Sequence, residues 1–133
     1  MALFTWSDDL AVGNDFIDSD HKKLIKLVND FHDAMEQGRG NDVIGKVLNN
    51  LIIYTKQHFG REETEMQRIQ YSRSLAHKQE HVKLIKEVTD LQNDFNNGKA
   101  MLTLKVSKFL KDWLVTHIKQ TDKLFAEAIR KAA

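Results

Sequence analysis

Apolar residues recur at intervals of three and four along most of the chain, the pattern of amphipathic helices rather than strands. The first stripe, Leu24, Ile25, Val28, Phe31 and Met35, predicts a helix over about 19–37, capped by Asp18 or Ser19 and stopped by Gly38-Arg39-Gly40. A second helix, about 41–69 with Asn41 as its cap, puts Ile44, Val47, Leu48, Leu51, Ile52, Phe59 and Met66 on one side. A third runs from Ser72 or Ser74 to about 96 with Leu84, Val88, Leu91 and Phe95 aligned, and Asn96-Asn97-Gly98 ends it. A fourth, about 100–119, carries Val106, Phe109, Leu110, Trp113, Leu114 and Ile118, and a short fifth follows Asp122. Short breaks between long helices favour antiparallel neighbours. The expected fold is all-α, an up-down-up-down antiparallel four-helix bundle forming one domain over 1–133, with an N-terminal arm (1–17) ahead of the bundle (18–133).

Two glycines interrupt the second helix, where each costs about 1 kcal/mol relative to alanine. Gly60 is expected to permit close packing, and Gly45 has no explanation in the sequence.

Composition narrows the chemistry. Without cysteine there are no disulfides, iron–sulfur clusters or thiolate zinc sites, which leaves imidazole and carboxylate as the strong metal ligands. Twenty basic residues are scattered among nineteen acidic ones, so nucleic acid is not an expected partner. No stretch approaches the roughly 20 apolar residues of a membrane span, and Trp6, Asp8 and Asp9 interrupt the region where a signal peptide would be apolar. A cytoplasmic protein is expected.

The histidines carry the functional signal. His21, His58, His77, His81 and His117, with Glu62, fall on the apolar stripes just described. The pairs His58/Glu62 and His77/His81 are spaced i,i+4, about 40° apart on a helix, so each pair projects to one side. In an up-down-up-down bundle, the start of the first helix, the later half of the second, the start of the third and the end of the fourth share one end. A single histidine on an apolar face is ordinarily a structural residue hydrogen-bonded in the core. Five imidazoles and two carboxylates, Glu62 and Asp122, cost about 1–3 kcal/mol each if buried unpartnered. No Lys or Arg shares their stripes near Glu62, so a cation is required. Seven ligands suit two ions: His77, His81 and His117 on one, His21 and His58 on the other, bridged by Glu62, Asp122 and a solvent oxide or hydroxide. The first ion is then six-coordinate and the second five-coordinate with one open position. Imidazole-rich ligation with bridging carboxylates in a helical bundle favours iron. Asp122 sets a condition: five residues after His117, it points about 140° away on a regular helix. An irregularity is expected at Ile118–Thr121.

The stretch His58-Phe59-Gly60-Arg61-Glu62-Glu63-Thr64-Glu65-Met66, the pair in His77-Lys78-Gln79-Glu80-His81, and the run Trp113 to Asp122, with Ile17-Asp18-Ser19-Asp20-His21 upstream, closely resemble the hemerythrins, specifically the single-domain bacterial hemerythrins. The resemblance covers almost the whole chain. It implies a non-haem di-iron centre that binds dioxygen reversibly, for carriage, storage or delivery, with the open position on the His21/His58 iron. Leu24, Phe59, Trp113, Leu114 and Ile118 lie beside ligands and are expected to wall an apolar dioxygen pocket. A monomer is expected, with a protein acceptor of oxygen or a reductase as partner. The competing functions are an oxygen or nitric oxide sensor acting through a partner, and a di-iron enzyme consuming peroxide or nitric oxide. Absence of a further catalytic base favours a non-enzyme. His32 is read as structural, Glu63 and Glu65 as a solvated face, and Lys22, Lys23, Lys119 and Lys123 as surface charge around the site end.

Overall fold

The computed structural model describes residues 5–38, 41–98 and 104–132. A single 3-10 turn, Asp8–Leu10, precedes α1 (Asp15–Glu36), α2 (Asn41–Arg68), α3 (Ser74–Asn96) and α4 (Leu104–Thr116). A π-helical turn, His117–Asp122, joins α4 to α5 (Lys123–Ala132). The four long helices are antiparallel neighbours, with α1 packed on α2 and α4, and α3 on α2. The boundaries at Gly40 and at 99–103 expected from the sequence lie outside the described residues.

The first helix begins earlier than its stripe suggested. Asn14, not Asp18 or Ser19, is the cap: its side-chain oxygen accepts from the Ile17 amide at 3.0 Å, a contact that stabilises a helix start by about 1 kcal/mol. Asp18 has a different task, accepting the Val12 amide at 2.9 Å and so tying the arm to α1. The first stripe ends at Gly38, whose φ of +67° permits the left-handed stop that its position predicted.

The core is continuous from one end of the bundle to the other. Phe31, Leu48, Met66, Ile118 and Phe125 are fully enclosed, and burying a side chain of this size contributes about 1.5–3 kcal/mol. Along α4 and into the π turn the buried positions Ser107, Leu110, Leu114 and His117 fall at intervals of three and four. Phe109 was expected among them but is 43 % exposed, because it precedes Leu110 by one residue and points about 100° away.

The glycines exchange roles. Gly60 is exposed with nothing near the position of a Cβ, so it permits no close packing. Gly45 is the one that lies beneath a neighbour: a Cβ there would sit 3.4 Å from Cε2 of Phe95 on α3.

The α2–α3 connection places the site. The Tyr71 amide bonds to the Met66 carbonyl at 2.9 Å, while Gln70 takes a φ of +54°. This left-handed helix ending is usually made by glycine. It reverses the chain within five residues, so His77 and His81 return opposite His58 and Glu62.

Candidate metal centre

The structure brings the seven residues named from sequence together at one end of the bundle, all of them buried. Two overlapping groups form, Glu62, His77, His81, His117 and Asp122 in one, His21, His58, Glu62 and Asp122 in the other. Within each group the ligand atoms lie inside 4.8 Å of one another. Glu62 and Asp122 belong to both. Asp122 Oδ1 is 3.0 Å from His77 Nε2 and 3.1 Å from His117 Nε2, while its Oδ2 is 2.8 Å from His21 Nε2. Glu62 Oε1 lies 3.3 Å from His81 Nε2 and 3.4 Å from His58 Nε2.

Proximity does not make these contacts hydrogen bonds. All five Nε2 atoms and all four oxygens of Glu62 and Asp122 are buried without a hydrogen-bond partner among the described residues. Such atoms cost about 1–3 kcal/mol each when left unmade. Nine of them gathered in two overlapping groups form the donor set of a cation site.

The electrostatics point the same way. Burial and the neighbouring Asp122 charge push the Glu62 carboxyl well above its usual range. Asp122 would be pushed up by burial too, but the His117 charge and the imidazoles of His117, His21 and His77 facing its oxygens hold it well below. Burial opposes the charged form of His117, yet Asp122 and Glu80 raise it to about 9. His81 falls to about 2, through burial and then the charges of His117 and His77. Burial thus disfavours the charged form of Glu62, while the Asp122 carboxylate favours a positive charge beside it.

Three imidazoles are aimed from behind. His58 Nδ1 donates to Asp20 at 2.8 Å, His81 Nδ1 to Glu63 at 2.9 Å, and His117 Nδ1 to Glu80 at 3.0 Å. A carboxylate only accepts, so each Nδ1 carries the hydrogen and each Nε2 turns a lone pair inward. Each helix therefore serves the element after it: α1 orients the histidine of α2, α2 that of α3, and α3 that of the π turn after α4. Thr121 in the π turn also donates to Glu80, at 3.0 Å.

Sequence reasoning missed this outer ring. Glu63 was assigned to a solvated face, and the structure corrects that: one residue beyond Glu62 it turns about 100° away from the centre, onto the neighbouring helix and the back of His81. Asp20 and Glu80 likewise adjoin His21 and His81, so the signal in the sequence is a carboxylate next to three of the seven inward residues. Glu65 does stay on the surface, paired with Arg68. His32 is structural, its Nδ1 2.7 Å from Ser107 Oγ and its Nε2 3.2 Å from Glu36.

The irregularity expected at Ile118–Thr121 is the π turn itself, in which the Lys123 amide bonds to the carbonyl of Ile118, five residues back. Beside the centre, Phe59 stacks on His81 at 3.7 Å and Trp113 on His117 at 4.4 Å between ring centroids. Leu24, Phe59, Trp113 and Leu114 wall an apolar cavity of about 30 Å³, with Leu48, Leu51 and Leu110 below them. Ile118 is fully buried but does not line it: one residue after His117, it points to another side.

A four-helix bundle whose one end holds a buried cluster of five histidines and two shared carboxylates is a cation-binding protein. Residues 12–129 match the model of the hemerythrin HHE cation binding domain, and the chain belongs to the hemerythrin family. It is 41 % identical over 130 residues to the bacteriohemerythrin of Methylococcus capsulatus, covering 97 % of this chain and 98 % of that one. Against the bacteriohemerythrin of Pseudomonas aeruginosa the identity is 35 % over 130 residues, covering 98 % and 84 %. A crystal structure of wild-type hemerythrin superposes with a TM-score of 0.92 at 40 % identity, covering 96 % of this chain and 98 % of the other.

Proposed function

We propose that this chain binds dioxygen reversibly at a pair of non-haem iron ions, for carriage, storage or delivery. The observation that carries the reading is the set of orphaned inward atoms: five Nε2 and four carboxylate oxygens, buried and unpaired. His77, His81 and His117 would hold one ion and His21 and His58 the other, with Glu62, Asp122 and a solvent oxide or hydroxide shared between them. Five imidazoles and two carboxylates suit ferrous iron, and the two ions would supply the two electrons of a reversible dioxygen adduct.

The chain's own residues favour release over oxidation. The cavity wall is aliphatic and aromatic; its hydroxyl, Thr55 Oγ1, donates to the Leu51 carbonyl at 2.7 Å. A space of about 30 Å³ with no titratable side chain among the described residues of its wall admits a diatomic molecule and offers it no proton from them. That separates a carrier from an enzyme that must deliver protons to its substrate.

Metal analysis tests the assignment. Two irons per chain are expected, lost in His77→Ala and Glu62→Ala and kept in His32→Ala. The reduced protein exposed to air should gain a visible charge-transfer band that disappears when dioxygen is removed. One iron per wild-type chain, or repeated turnover of peroxide or nitric oxide with no reversible band, would overturn the reading.

A further inference from the structure

The carboxylates behind the histidines are not equivalent. Glu63 and Glu80 have side chains 33 % and 44 % exposed. Asp20 is 9 % exposed, and four donors saturate it. His58 Nδ1 and Arg61 Nε reach its Oδ2 at 2.8 and 3.1 Å, while Tyr54 Oη and Arg61 Nη2 reach its Oδ1 at 2.8 and 3.0 Å. Arg61 comes in from the surface, with its guanidinium carbon 5.5 Å from the centroid of the Tyr54 ring.

We propose that Asp20 is the positioning residue of His58 and that Arg61 sets the strength of that contact, so that the two-imidazole ion is governed by one buried, charge-compensated carboxylate. The inference rests on the metal-centre reading above. Tyr54 and Arg61 hold both oxygens of Asp20, so the carboxylate cannot turn away and His58 keeps one ring orientation. This matters most on the side with two imidazoles, where a misdirected ring removes half of the nitrogen ligands. Charge is a separate lever. A negative Asp20 increases the electron density that His58 delivers through Nε2, and the Arg61 cation withdraws part of it. Glu63 and Glu80, behind the three-imidazole ion, are screened by solvent instead.

The two levers predict opposite shifts, which a purely structural role cannot produce. In the iron-loaded chain, Asp20→Asn removes a negative charge at nearly constant shape and should raise the reduction potential. Arg61→Gln removes the opposing cation and should lower it. Asp20→Ala should weaken one of the two irons by roughly 10–100-fold, leaving one per chain after dialysis. A second measurement does not depend on iron: in the zinc-loaded chain, the Nδ1–H proton resonance of His58 should move upfield in Asp20→Asn while those of His81 and His117 stay. If wild type binds no metal, the metal-centre reading fails. If wild type binds two irons but the two potentials shift the same way or not at all, or the His58 resonance moves no more than the other two, the role of Asp20 is overturned.

Discussion

His117 Nε2 lies 3.1 Å from Asp122 Oδ1 although five residues separate the two in sequence, a spacing that a regular α-helix turns about 140° apart. The π turn absorbs the mismatch, with the Lys123 amide bonding to the Ile118 carbonyl five residues back. An α-helix with one residue fewer would reach nearly the same relation, since four residues differ by about 40°. Deleting the exposed Lys119 is therefore expected to preserve both metal content and fold. Inserting one alanine after Lys119 makes six residues, about 240° round, and should release the metal. Metal analysis of both variants decides it: metal loss on deletion would mean that the turn does more than set the pairing.

Two backbone positions invite substitutions of opposite sense. Gly60 lies in the regular interior of α2 with open space around it, and Gln70 takes a left-handed conformation that favours glycine. Gly60→Ala and Gln70→Gly are each expected to stabilise the fold by about 0.5–1 kcal/mol. Thermal unfolding should show both midpoints raised with metal content unchanged. A lower midpoint for Gly60→Ala would mean that the helix there is strained.

The alkaline titration should report the Asp20 cluster. Burial and then the hydrogen bond to Asp20 push the Tyr54 phenol up to about 12, and Tyr71, the chain's other tyrosine, is also raised, by burial. The folded value of Tyr54 exceeds the unfolded one, near 10, so its contribution to stability is present below that pH. It is lost as pH rises towards 12. Near-ultraviolet absorbance should show neither phenol ionising at its ordinary pH in the folded protein. In Asp20→Asn, Tyr54 should ionise closer to 10. Unchanged titration in that variant would dissociate Tyr54 from Asp20.

The cavity wall bears on how long bound oxygen survives. Leu114 is buried on that wall. Leu114→Glu would bring a carboxyl group and water to a dry space. In air, iron should then oxidise to the ferric state at least roughly tenfold faster, the effect of about 1.4 kcal/mol on a barrier. Leu114→Met, close in volume, should leave the rate near wild type. Stopped-flow spectra of the reduced proteins measure both. Equal rates in all three would remove the wall from the account of reversibility.

Periodicity showed where the long helices lie and which end of each carries the histidines, because a 3.6-residue repeat is a local property, though it misplaced the start of α1. The i,i+4 pairs were legible for the same reason. So was the need for an irregularity before Asp122, since helical geometry forbids the pairing otherwise. What the sequence could not decide lay between helices. Whether Glu63 meets water or His81, whether Phe109 turns inward, and whether Gly45 or Gly60 lies beneath a neighbour depend on the rotation of one helix against the next, which turns by about 100° with each residue. The outer ring Asp20, Glu63 and Glu80 exists only across such contacts, α1 to α2, α2 to α3 and α3 to the π turn. The inward histidines were local in spacing, and their orientation was tertiary.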